Sequence, residues 1–190
     1  MSSQSRLRRL FSPKSVAVIG GGVWCRSVIE QLFKIGYKGK IFPVHPSKKE
    51  ILGLKYFKDL EEVPAKIDAS FVGVNRNTTI EVVKYLNDLN AGGAVCFASG
   101  FLEAEDDKQG SGELQKLLIE SAGDMPILGP NCYGFINYLD RSVLWPDQHG
   151  GKPVDRGVAI LTQSSNLAIN ITMQTRGLPI SYIMSVGNQA

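Results

Sequence analysis

The chain has 190 residues, 43% hydrophobic and 21% charged, with a formal net charge of +3. That length suits one large domain, or one domain and part of another. No apolar run approaches the ~18 residues needed to cross a bilayer. The small, scattered charge does not call for a nucleic acid, and residues 1–10 are polar and basic without the apolar core of a secretory signal.

Three cysteines, Cys25, Cys96 and Cys132, are an odd number without a CxxC pair. They point to a reducing cytoplasm and to neither a disulfide scaffold nor a metal site. Arg6, Arg8, Arg9 and Lys14 read as a solvated N-terminal turn. Glu103, Glu105, Asp106 and Asp107, with Gly110 and Gly112 behind them, read as an exposed acidic loop.

From Ser15 onward, short β-branched runs alternate with stretches of helical period, which predicts an α/β fold with a doubly wound parallel sheet. A strand over 16–20 stops on Gly20-Gly21-Gly22. A helix over 27–35 follows, carried by Val28, Ile29, Leu32, Phe33 and Ile35 and closed by Gly36. Strands are expected at 40–44, 67–74, 93–98 and 126–128, and helices at 78–89 and 113–122. Residues 129–156, rich in glycine and proline, read as a linker. A second unit then starts, with a strand over 157–161, a turn at Gln163-Ser164-Ser165-Asn166, a helix over 167–175 and a strand over 180–186. Two parallel strands make half a sheet, so the chain is expected to be a fragment or to be completed by a partner.

The glycine run is the chemical centre of this pattern. Glycine admits positive φ and close approach of a ligand, and the following helix presents free N–H groups, so the loop suits a phosphate. A βα turn that binds nothing is the alternative. A dinucleotide fingerprint would place a third glycine where Cys25 stands and an acid at the end of the second strand. Instead that end reads Pro43-Val44-His45-Pro46-Ser47-Lys48-Lys49. Without a carboxylate for a free 2′-hydroxyl, NAD is disfavoured, and the basic turn suits a ribose phosphate such as that of NADP or coenzyme A, unless the lysines are only solvated. Trp24 either stacks on a base or covers the helix, and Arg26 meets a phosphate or solvent. The Gln163–Asn166 turn offers an anion site or simple helix caps. Cys132 has no histidine near it in sequence, which disfavours a nucleophile.

The segments SVAVIGGG, IFPVHPSKKEILG, IDASFVGV, AVCFASGF, ILGPNCYGFIN, GVAILTQSSNLA and SVGNQA occur in that order. Over about residues 10–190 the chain resembles the α part of the NDP-forming acyl-CoA synthetases, relatives of the succinyl-CoA synthetase α subunit and of the ADP-forming acetyl-CoA synthetases. The resemblance implies a Rossmann-like coenzyme A domain over 1–128, a linker over 129–156, and the first part of a flavodoxin-like ligase domain over 157–190. It implies that Gly20, Gly21, Gly22 and Ser27 lie along the pyrophosphate, and that Pro43, His45 and Lys48 or Lys49 lie near the adenosine and its 3′-phosphate. Val74-Asn75-Arg76 and Ser99-Gly100-Phe101 would guide the pantetheine toward Asn131 and Cys132, and Gln163, Ser164, Ser165 and Asn166 would face a phosphohistidine or acyl phosphate.

The reaction so implied is ligation of a carboxylic acid to the thiol through an acyl phosphate. ATP, ADP and Mg2+ would be held by an ATP-grasp domain or β subunit outside this chain, and the phosphohistidine would lie downstream. His45 and His149, the two histidines present, do not match it. The implied protein is a cytoplasmic oligomer that this segment alone does not make active. Its acid stays open among acetate, succinate, aryl acids, dimethylsulfoniopropionate and others. Ser165 replaces the usual glycine, the Gly21–Arg26 stretch is distinct, and Asn75-Arg76-Asn77 replaces a more apolar segment. A coenzyme A-sensing module without ligase chemistry and an NADP-dependent oxidoreductase are the alternative readings.

Overall fold

The computed structural model describes residues 3–103 and 110–188. Glu105, Asp106 and Asp107 of the acidic stretch lie outside the described residues. The chain opens with α1 (Ser3–Phe11) and β1 (Ser15–Ile19), followed by α2 (Val23–Ile35), β2 (Lys40–Val44), β3 (Glu50–Ile51) and β4 (Leu54–Lys55). Next come β5 (Ala69–Val72), α3 (Arg76–Asp88), β6 (Ala94–Cys96), α4 (Ser111–Ala122) and β7 (Ile127–Leu128). β8 (Gly134–Asn137), β9 (Ser142–Leu144), β10 (Val158–Thr162), α5 (Ser165–Thr172) and β11 (Ile180–Ser185) complete it.

Five parallel strands form the main sheet in the order β2-β1-β5-β6-β7. This is the doubly wound architecture expected from the alternating pattern, with β1 and β5 as the pair on which the winding reverses. All residues of β1 and β5 are buried, as strands covered on both faces must be. The two faces separate with the period of a strand. Val16 and Val18 pack with Val28, Ile29 and Leu32 of α2, while Ala17 and Ile19 pack with Val83 and Leu86 of α3 and Leu118 of α4. Gly36, at φ 77, closes α2 by donating to the carbonyls of Leu32 and Phe33, the cap its position predicts.

The basic N-terminus is not a solvated turn. It is α1, with Leu10 fully buried and Phe11 edge-on to Phe135 at 5.1 Å. Arg9 pairs with Asp68 at 2.7 Å and donates to the carbonyls of Ile67 and Asn90, and Arg6 reaches the side chains of Asn87 and Asn90. These guanidinium groups satisfy carbonyls and amides at the start of β5 and the end of α3, which is why they are held rather than solvated. Glu103, too, departs from the exposed-loop reading. It is half-buried, accepts the N–H of Gly100 and pairs with the Asn188 amide.

Residues 129–156 contain two strands where a linker was expected. β8 and β9 pair antiparallel, β8 pairs antiparallel with β11, and a second sheet runs β10-β11-β8-β9. Both are short and buried throughout, so they show no polar and apolar alternation that would have marked them as strands. Their side chains Phe135, Ile136, Val143 and Leu144 share one core with α2 and β1, and α2 is therefore gripped between the two sheets. A small hairpin, β3–β4, was likewise unmarked. Its two-residue turn puts Leu52 at φ 50 and Gly53 at φ 79, the left-handed pair of a type I′ turn. No helix among the described residues is long and apolar enough to cross a membrane.

Candidate functional site

The carboxyl ends of β1, β2 and β5 meet at the point where the winding reverses, and an open cavity of about 630 Å3 lies there. Open α/β sheets bind their ligands at this place. Gly20, Gly21, His45, Val74 and Asn75 line it together. A second, smaller cavity of about 290 Å3 shares Gly21 and adds Gly22, Arg26, Lys48 and Tyr56.

The backbone of the loop is set by sterics. Gly20 sits at φ 126, and a Cβ there would stand 2.5 Å from the Gly73 carbonyl oxygen and 2.9 Å from the Cys25 sulfur. Cys25 occupies the close helix-to-strand approach where a dinucleotide fingerprint has its third glycine. Its thiol points at the carbonyls of Ile19 and Gly73, 3.5 and 3.8 Å away. Burial pushes that thiol up to about 11, so it is packing and not a nucleophile. At Gly21 a Cβ would meet the His45 ring at 2.5 Å and the Lys48 stem at 2.8 Å. At Gly22, the N-cap of α2, it would meet open space.

The basic turn after β2 folds back over this loop. His45 Nδ1 accepts the backbone N–H of Ser47 and of Lys48, both at 3.2 Å, which places the proton of the neutral ring on Nε2, beside Gly21. The Lys48 ammonium donates to the Gly21 carbonyl. On the other rim, Asn75 caps α3 by accepting from Thr78 N–H at 3.1 Å. Tyr85 donates to the Glu61 carboxylate, which, with some burial, pushes its phenol up to about 12.

Other expected site residues lie apart from the cavities. Pro43 is buried in β2, where its carbonyl accepts Phe57 N–H. Lys49 is exposed, and Ser27 sits half-buried in α2. Arg76 turns to the Gly100 carbonyl at 2.8 Å, Ser99 is exposed, and the fully buried Phe101 belongs to the core of α3 and α4. Asn131, at φ 53, donates its N–H to Ala98, and the neighbouring Pro130 carbonyl accepts from Asn188. Cys132 is buried against the Cys96 carbonyl, and burial drives its thiol far above the ordinary range. At the Gln163–Asn166 turn the hydroxyls are engaged internally. Ser164 accepts from Leu167 N–H, Ser165 pairs with Ser185, and Gln163 and Asn166 are exposed.

Sequence reasoning missed Lys58, Asp59, Thr78, Glu81 and Tyr85 on the cavity wall. The signal available was the second stripe of α3. Thr78, Val82 and Tyr85 recur three to four residues apart beside the core stripe of Val83 and Leu86, and all three are half-buried.

The fold is that of a doubly wound nucleotide-type domain, with a glycine cradle facing a basic turn at its switch point. Residues 14–138 match the family model described as CoA binding domain, and the chain belongs to that family. It is similar over 99% of its length to a trans-feruloyl-CoA synthase of an unknown prokaryotic organism, at 33% identity. It is also similar over 95% of its length to the α subunit of acetate–CoA ligase [ADP-forming] II from Pyrococcus furiosus, at 29% identity. The chain spans 28% and 40% of those two proteins. Among solved structures, the apo dinucleotide-forming acetyl-coenzyme A synthetase 1 of Ca. Korarchaeum cryptofilum superposes with a TM-score of 0.83 at 30% identity. That match covers 96% of this chain and 40% of the other. These relatives do not favour the oxidoreductase alternative.

Proposed function

We propose that the chain is the coenzyme A-binding part of an ADP-forming acyl-CoA synthetase, an acid–thiol ligase whose remaining parts lie in a longer polypeptide or in partner subunits. The observation that carries the reading is the Gly20-Gly21 cradle pressed against His45 and Lys48, with no carboxylate supplied by the turn after β2. The carboxylates on the wall of the first cavity, Asp59 and Glu81, come from elsewhere in the chain, and Glu50, which opens β3 just beyond the turn, lines the second cavity with Arg26 and Lys48.

The ligand fits these residues. A side chain at Gly20 or Gly21 would close the cradle, and Gly22 leaves the first N–H groups of α2 uncovered for a pyrophosphate. His45 and Lys48 would meet the ribose phosphate, and the Val74–Thr78 rim with Tyr85 would hold the adenosine. When bound, the coenzyme supplies the attacking thiol. The protein's share is to fix the phosphates and aim the far end toward Asn131 and the end of β6. Among the described residues, the three thiols are buried and raised by that burial, Cys96 to about 12, and the buried His149 is lowered to about 4. None of them is suited to carry a phosphoryl group.

The ligase reading therefore places ATP, Mg2+ and the phosphohistidine in an ATP-grasp domain or β subunit and in downstream residues, within a cytoplasmic oligomer that takes a small carboxylic acid. The domain limits 1–128, 129–156 and 157–190 and an anion role for the Gln163–Asn166 turn belong to the same proposal. Calorimetry tests its centre. Coenzyme A is expected to bind about tenfold or more tightly than dephospho-coenzyme A, with the difference shrinking in Lys48→Ala. Equal affinities would remove the phosphate role from the basic turn, and a preference for NADPH would overturn the coenzyme reading.

A further inference from the structure

The smaller of the two cavities at the glycine loop takes one of its walls from the β3–β4 hairpin. Gly21, Gly22 and Arg26 line it from the side of α2, and Lys48, Glu50 and Tyr56 from the side of the hairpin. Tyr56 is firmly placed. Its N–H donates to the Lys49 carbonyl at 3.0 Å, and Phe57, next in the chain, donates to the Pro43 carbonyl and accepts from His45 N–H, both at 2.9 Å. The Tyr56 ring stands edge-on to the His45 ring with centroids 5.9 Å apart. Backbone bonds on both sides and an aromatic neighbour therefore fix the phenol.

The hydroxyl of this residue is left unpaired. Tyr56 is only 4% exposed, and its oxygen has no hydrogen-bond partner among the described residues. Burying a hydroxyl in this way forfeits its hydration without return, and a phenylalanine would pack the same ring without that loss. A ligand that supplies the partner accounts for the oxygen. Burial, and then the neighbouring Cys25 in the first turn of α2, hold the phenol above its ordinary range. It keeps its proton and so meets an anion as a donor.

The rest of the cavity favours the same charge. α2 has 13 residues, and its N-cap, Gly22, brings no side chain to the first N–H groups. A Cβ at Gly22 would meet open space, so these donors are uncovered. Arg26 and Lys48 set two cations in the cavity against the single carboxylate of Glu50, while Arg26 also pairs with Glu30 in an exposed ion pair. Ser27, the hydroxyl expected along the pyrophosphate, is half-buried in α2 and lines neither cavity. The hairpin brings Tyr56 in its place.

We propose that Tyr56 is a further binding residue for the coenzyme, donating its hydroxyl to the pyrophosphate at the N-terminus of α2, with Arg26 beside it. The inference rests on the coenzyme A reading and assigns the second cavity within it. His45 from the first cavity and Lys48 from the second flank Gly21 and keep the ribose phosphate. The two roles are separable, because dephospho-coenzyme A lacks the ribose phosphate and retains the pyrophosphate.

The test is calorimetric titration of the unaltered chain and of Tyr56→Phe with coenzyme A and with dephospho-coenzyme A. Both ligands are expected to bind about tenfold more weakly to Tyr56→Phe, which leaves the ratio between them unchanged, whereas Lys48→Ala shrinks that ratio. Arg26→Gln, at an exposed position, should weaken both ligands in the same even way. The urea midpoint of Tyr56→Phe should equal or exceed that of the unaltered chain, since the ring stays and no internal hydrogen bond is lost. Unchanged affinities, or a loss confined to coenzyme A, would take the hydroxyl off the pyrophosphate, and a lowered midpoint would give it a partner inside the protein. Each of these overturns the assignment and leaves the coenzyme reading intact. If neither ligand binds the unaltered chain, the coenzyme reading falls and the role of Tyr56 falls with it.

Discussion

Three adjacent glycines do different work, and only the contacts around them show which. Gly20 has a φ that other residues adopt at a cost and a neighbouring carbonyl where a Cβ would be, whereas Gly22 has an ordinary φ of −80 and open space. Gly20→Ala is therefore expected to lower unfolding free energy by roughly 2–4 kcal/mol, since both backbone strain and a clash with main chain must be absorbed. Gly22→Ala should cost about 1 kcal/mol or less, the difference between a glycine and an alanine N-cap. Urea denaturation of the two variants checks this, and similar losses in both would contradict the steric account. In the sequence, the glycine run and the acid-free turn after β2 were legible because composition alone specifies them. The wall residues Lys58, Asp59 and Tyr85 were not, because they come together only through the crossover from β2 to β5 and the packing of α3.

At the scale of elements, the strands buried on both faces were found within a few residues, and Lys40–Val44 to the residue. α2 begins at Val23, four residues before the predicted start, because Trp24 and Arg26 point outward and hide the helical period there. α1 was missed for a related reason. Its arginines read as solvated when taken alone, yet Asp68, 59 residues away, receives Arg9. Arg9→Ala would take the guanidinium from the Asp68 carboxylate, which keeps the Lys14 N–H, from the Ile67 carbonyl, which keeps the Gly92 N–H, and from the Asn90 carbonyl, in a site only 15–16% exposed on either side of the ion pair. A loss of about 2–3 kcal/mol is expected, more than a surface ion pair is worth, because the partners left behind are partly desolvated. Arg9→Lys should recover only part of it, since an ammonium cannot span a carboxylate and two carbonyls as a guanidinium fork does. Denaturant midpoints for the two variants, at constant m, measure the difference.

Across the whole molecule, the two sheets share one core through α2, and the segment from β9 to β10 is fastened where they meet. Its anchor is His149, 3% exposed, whose Nδ1 meets the Tyr138 hydroxyl at 3.1 Å. The Lys34 ammonium of α2 donates to the His149 carbonyl, and Gly150 N–H donates to the Thr172 hydroxyl at the end of α5. Three elements from both layers thus converge on the His149–Gly150 segment, and the Lys34 ammonium is the charge near the imidazole. Burial first, and Lys34 second, lower its pKa from 6.5 to about 4. Above pH 6.5 the ring is neutral in the folded and the unfolded chain alike, so it imposes no penalty. Between about pH 6.5 and 4 the unfolded chain takes up a proton that the folded one refuses, and stability falls as pH falls. The slope should approach about 1.4 kcal/mol per pH unit, for a total of at most about 3.5 kcal/mol. Urea unfolding at pH 7.5, 5.5 and 4.5 should show this decline, and His149→Gln should flatten it between pH 6.5 and 4.5 whatever it does to stability at pH 7.5. A variant that keeps the full slope would move the acid sensitivity to other groups and leave His149 as packing alone.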